Sequence, residues 1–132
     1  GESITALGSS LFERCTNMAE VSLPTTLTAI GERCFFMYSV GGLKSLVIPK
    51  NVNTIVEKAF VCCAIESVTI PFNVKEIGSY AFNGCEKLKS AYVDSPLVSS
   101  FMFTQCSALT NLTLSKNVKS INAYCINQHI IE

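Results

Sequence analysis

"VNTIVEKAFVCCAIESVTIPFN" (residues 52–73) and the stretch after it, "VKEIGSYAFNGCEKLKSAYVDSP" (74–96), decide the fold, because they share one pattern. Each opens on Val, places Ile three residues later, and then an Ala-Phe pair with Cys three beyond the Phe. Each closes on an apolar triad, Ile65-Val68-Ile70 in the first and Leu88-Ala91-Val93 in the second. Working outward, Phe12, Phe35, Phe60, Phe82 and Phe103 fall 23, 25, 22 and 21 residues apart. Five residues before them stand Leu7, Ile30, Ile55, Ile77 and Val98, three of these followed by Gly8, Gly31 and Gly78. Cys15, Cys63, Cys85 and Cys106 follow three residues after Phe12, Phe60, Phe82 and Phe103. The triad recurs as Met18-Val21-Leu23, Leu43-Leu46-Ile48 and Leu109-Leu112-Leu114, and Pro24, Pro49 and Pro71 close three of the triads. A sixth, shortened unit begins "VKSINAYCINQHIIE" (118–132), with Ile126 in the Phe position.

A repeat of this length is one strand-bearing coil that cannot bury its apolar face alone, so the units must stack. In "SVTI" (67–70) the period of two turns Val68 and Ile70 inward and Ser67 and Thr69 outward. Pro after the triad ends the strand, because it cannot donate to a ladder. "VxxIG" is expected to turn the corner on its glycine. "AFxxC" is expected to form a short 3-10 or single helical turn that inserts Phe into the centre. Stacked coils would then build one continuous core, Phe over Phe.

The full pattern, V-x-x-I-G-x-x-A-F-x-x-C-x-x-L-x-x-V-x-I-P, resembles the BspA-like class of leucine-rich repeats, from about Ile4 to about Gln128. The resemblance implies a β-rich leucine-rich-repeat solenoid of five to six coils of about 23 residues, with a parallel sheet on the concave face and short strands and 3-10 turns opposite. It also implies a cell-surface or secreted protein, an adhesin or one of undefined role. Two units depart from the pattern. The second carries the insertion "MYSVGG" (37–42) and lacks the cysteine, and the fifth lacks the V-x-x opening, reading "PLVSSFMF" (96–103), so its coil must tighten. Residues 1–132 read as one solenoid domain, a piece of a longer protein.

Composition narrows the functions. Hydrophobic residues make up 48% and charged ones 15%, which excludes a disordered tail. Ten basic residues balance ten acidic ones without a basic run, so neither a nucleic-acid surface nor a polybasic membrane anchor is expected. The run Cys34-Phe35-Phe36-Met37-Tyr38 is far shorter than the ~20 residues a membrane-spanning helix needs.

Seven cysteines cannot all pair within the chain. Those in the repeat's own slot should face the core as small hydrophobes, as should Cys34 and Cys125 in the position before Phe or Ile126. Neighbouring coils would hold slot cysteines about 4.8 Å apart, within reach of a bridge but in an unfavourable parallel orientation, so free thiols are expected. Cys62, beside Cys63, should point outward as the reactive thiol. Free thiols also suit a reducing, intracellular compartment. His129 is the one histidine and no C-x-x-C occurs, which speaks against zinc and against a Cys-His catalytic pair. No phosphate loop, nucleophile elbow or metalloprotease helix is present, and no cofactor or enzymatic activity is expected.

Binding is expected on the outward strand residues. One ladder is Ser22, Val47, Thr69, Tyr92 and Thr113, and the other is Glu20, Ser45, Ser67, Ser90 and Asn111. Such faces are where solenoids usually dock partners, and small hydroxyl and amide groups suit a protein or glycan ligand. The same groups also suit a plain solvated face. Tyr38, on the glycine-containing insertion, is a second candidate. Asn111-Leu112-Thr113 is a sequon on the same face. A spacer that stacks end to end on other copies would use the same coil without any ligand.

Overall fold

The computed structural model describes residues 3–126. The chain winds as a parallel β-solenoid of about five turns. One ladder uses the segment two residues long that ends at the repeat's Ile or its equivalent. It comprises β1 (Ala6–Leu7), β2 (Ala29–Ile30), β3 (Thr54–Ile55), β5 (Glu76–Ile77), β7 (Leu97–Val98) and β9 (Ser120–Ile121). β1, β2, β3 and β5 pair in parallel in that order, and β7 pairs with β9. The other ladder uses the apolar triads, as β4 (Ser67–Ile70), β6 (Ser90–Val93) and β8 (Asn111–Leu114). The third, fourth and fifth coils therefore each carry two strands where the sequence suggested a strand and a corner. The reason lies in hydrogen bonding: stacked segments at "xI" meet the same segment above and below, so even two extended residues find partners.

The phenylalanines form the expected spine. Phe12, Phe35, Phe60, Phe82 and Phe103 stack with successive centroid separations of 5.2, 5.2, 5.1 and 5.8 Å. Four of the five are fully buried, with Ile30, Ile55, Ile65 and Ile70 around them. Such stacks add to the area term that dominates burial.

The expected 3-10 turn is corrected. Among the described residues no helix of any kind forms. Two residues before the spine position, Ser10, Arg33, Lys58, Tyr80, Phe101 and Tyr124 all have φ between 56° and 63°, and two residues after it Arg14, Cys62, Gly84 and Gln105 have φ between 59° and 74°. A left-handed residue on either side of the spine position, four residues apart, breaks any helical run. It turns alternate N–H groups along the solenoid axis instead. In the third coil Lys58, Phe60 and Cys62 donate to the carbonyls of Ser79, Ala81 and Asn83 at 3.0, 2.8 and 2.9 Å. This third ladder satisfies the backbone without a strand.

The glycines act differently from expectation. A Cβ on Gly31 would lie 2.7 Å from the Gly8 carbonyl carbon, and one on Gly78 would lie 2.3 Å from the Glu57 nitrogen. Close approach of adjacent coils, rather than an unusual dihedral, requires glycine there. The fifth coil replaces its opening valine by a polar residue. Ser95 stands where Val52 and Val74 stand in earlier coils, and its buried hydroxyl donates to the Val74 carbonyl at 2.6 Å.

Candidate binding surface

The triad strands alternate as the sequence requires: in β4, Ser67 and Thr69 are exposed while Val68 and Ile70 are buried. The register aligns Ser67 with Ser90 and Asn111, and Thr69 with Tyr92 and Thr113. Two outward rows therefore run across β4, β6 and β8. Ser90 is half-buried, and the others are exposed. Tyr92 stands out of this face with 41% of its surface exposed.

In the first two coils the structure departs from expectation. Residues 43–48 lie beside β4, and residues 18–23 beside 43–48, but neither forms a strand. Proline explains where the ladder fails. In later coils the residue after the triad closes the ladder, Asp94 N–H donating to the Ile70 carbonyl and Ser115 N–H to the Val93 carbonyl, each at 2.9 Å. Pro49 and Pro71 hold that position earlier and have no N–H to donate to Leu23 and Ile48. The strand face opens there. A cleft of about 260 Å³ is lined by Leu46, Val47, Ile48, Ser67, Val68, Thr69 and Pro71. A second, of about 350 Å³, is lined by Val21, Ser22, Leu23, Thr25, Val47 and Pro49. Val47, 81% exposed, stands between them. Ser22 and Val47 thus border clefts outside the paired sheet, Ser67 and Thr69 border a cleft from within it, and Tyr92, Thr113, Ser90 and Asn111 belong to the paired sheet alone. The repeated Pro was the signal that could have located the clefts.

Tyr38 is placed elsewhere. The insertion is pinned to the turn side rather than hinged free. Tyr38 Oη donates to Glu13 Oε2 at 2.9 Å and accepts from Arg33 Nη2 at 2.7 Å. Arg33 also bridges Glu13 at 3.2 Å, and the Arg14 guanidinium lies 4.2 Å from the Tyr38 ring centre. Hydrogen bonds from Ser10, Arg33 and Tyr38 hold the Glu13 carboxyl at about 2, against an ordinary 4.5. The partners of Tyr38 all belong to turn segments, so it does not join the strand rows.

The cysteines are all free thiols. Cys34, Cys63, Cys85, Cys106 and Cys125 are buried, and burial pushes the Cys34 thiol up to about 11. The slot thiols are also donors, which the sequence did not reveal. Cys63, Cys85 and Cys106 Sγ reach the carbonyls of Phe35, Phe60 and Phe82 in the preceding coil at 3.3, 3.2 and 3.2 Å. A thiol there is a small apolar group with one weak donor, which valine lacks. Cys62 is half-buried rather than freely outward, and burial, then Glu86, raise its thiol above the usual value. This counts against it as an activated nucleophile. Among the described residues no group of three or more His, Cys, Asp or Glu is arranged to hold a metal, and His129 lies outside them. No described helix is long and apolar enough to cross a membrane.

These features define a parallel β-solenoid with a hydroxyl-bearing strand face. The chain matches the family described as "BspA type Leucine rich repeat region (6 copies)" over residues 1–41 and 36–132, and it belongs to that family. No curated protein sequence matches it significantly. Its fold is similar to that of the pneumococcal vaccine antigen PcpA, with a TM-score of 0.78 and 23% identity over 94% of this chain. The chain spans 30% of that antigen's length. It is also similar to a leucine-rich-repeat protein of T. pallidum, with a TM-score of 0.66 and 21% identity, covering 97% of this chain and 74% of that one.

Proposed function

We propose that the chain is a non-catalytic adhesion or protein-interaction module of a cell-surface or secreted protein, binding a protein or glycan ligand through its strand face. Leucine-rich-repeat solenoids generally bind proteins, and such repeat families are generally non-catalytic scaffolds. The observation that carries the reading to this face is its pair of in-register outward rows, continued into clefts on either side of Val47. Hydroxyls, an amide and one phenol in two parallel rows offer directional hydrogen bonds around an aromatic anchor, the residue type that interfaces favour. The surface or secreted location rests on the family, and the likeness to a vaccine antigen is in keeping with it.

The test is to probe an array of extracellular-matrix proteins and glycans with the folded chain. Selective capture of one class supports the reading. Uniform absence of capture favours a spacer that projects other parts of its protein or stacks on further copies.

A further inference from the structure

The position two residues before the spine is a column of its own on the turn side. Three aromatic rings occupy its later part: Tyr80 stacks on Phe101 at 4.6 Å with planes 4° apart, and Phe101 on Tyr124 at 5.6 Å and 12°. The stack stops at the third coil, where the position holds Lys58. On that side Tyr80 borders a recess of about 330 Å³, whose other walls are Phe36, Val61, Asn83 and Lys58. Phe36 and Tyr80 belong to coils two apart, so they lie roughly 10 Å from each other along the axis by the strand spacing. At the level of the third coil between them the walls are Lys58 and Val61, and a ring entering there would lie against the face of Tyr80 opposite Phe101. Among the described residues Lys58 has no carboxylate partner.

We propose that this recess is a docking site for a protein partner, filled by an aromatic side chain that has a carboxylate beside it. The ring completes the interrupted stack against Tyr80, with Phe36 on the far side and Val61 beneath. The carboxylate pairs with the Lys58 ammonium. The site lies on the turn side and is independent of the strand-face reading. A protein is favoured over a nucleotide because the chain carries no excess of positive charge to gather a polyanion.

The test is an NMR titration of the full 132-residue chain with blocked tripeptides. The probes are acetyl-Glu-Trp-Glu-amide, acetyl-Glu-Leu-Glu-amide and acetyl-Lys-Trp-Lys-amide, with AMP as a rival planar anion. The expected result is binding of the Glu-Trp-Glu peptide at about millimolar Kd, with shifts at Tyr80 and Val61 and at least about tenfold weaker binding of the other three probes. Lys58→Gln should remove the preference for acidic over basic peptide, and Tyr80→Leu should remove binding of the Trp peptide. Lys58 is half-buried in the turn segment and Lys58→Gln keeps part of its aliphatic stem, so this variant should fold whatever Tyr80→Leu does. Shifts that miss Tyr80, equal binding of the Leu and Trp peptides, an unchanged charge preference in Lys58→Gln, or tighter binding of AMP would each overturn the proposal.

Discussion

Single residues show how much rests on local chemistry. Glu13 is held ionised by three side-chain donors, the largest contribution coming from Ser10. A carboxyl kept below its unfolded value stabilises the folded chain above about 4.5 and loses that contribution as pH falls toward 2. Carbon-detected NMR titration of the Glu13 carboxyl should give a midpoint near 2, and Tyr38→Phe, which removes one donor, should move it upward. An unchanged midpoint would mean that the insertion is not pinned. The thiols offer a second check. Two of the seven, Cys15 and Cys62, are half-exposed. A thiol reagent should modify those two in the native chain and all seven after unfolding, with Cys15 ahead because burial and Glu86 hold Cys62 back. Five fast thiols in the folded chain would contradict the buried column. The inward facing of these cysteines was legible from their fixed distance to Phe. Their bonds to the Phe carbonyls were not, because donor and acceptor lie 24 to 28 residues apart and meet only once the coils stack.

At the scale of the element, periodicity revealed what alternates and missed what depends on the coil above. β4 alternates as read from Ser67 to Ile70. The "xI" strands and the left-handed turn ladder were invisible in one repeat, since two residues carry no period and the left-handed turn positions hold Ser, Arg, Lys, Tyr, Phe, Cys and Gln, with Gly only at Gly84. Glycine itself was found in the right place for the wrong reason, and that difference can be measured. Gly8 has open space where its Cβ would go, whereas Gly78 would clash with Glu57 backbone atoms. Gly8→Ala should leave stability within about 0.5 kcal/mol or raise it slightly through the unfolded chain, whereas Gly78→Ala should cost about 1–3 kcal/mol as an overpacked contact. Denaturant unfolding of both variants checks the contrast, and equal costs would place the constraint in the dihedral instead. Proline, read correctly as a strand stop, had a further consequence at this scale: with no N–H after the triad, the ladder between early coils fails and the clefts beside Val47 open.

Across the whole molecule, the apolar positions build a spine and the positions between them build a display. Removing one ring from the spine should be felt globally. Phe82 lies stacked between Phe60 and Phe103, and Phe82→Ala should cost about 3–5 kcal/mol, measured by denaturant unfolding. A cost below about 1 kcal/mol would mean that the rings do not support one another. Changes in the display should leave that stability untouched and act on recognition alone. This separation was legible in the sequence, because in and out positions alternate in every triad. The ligand was not, because hydroxyl rows fit several partners equally well by composition. The most direct test is the affinity of Thr69→Ala with Tyr92→Ala, beside the parent chain, for whichever matrix protein or glycan the parent selects. The account expects at least about a tenfold loss, the scale of an aromatic anchor removed from an interface, with an unchanged melting temperature. Undiminished binding by the double variant would contradict it and move recognition off the strand face.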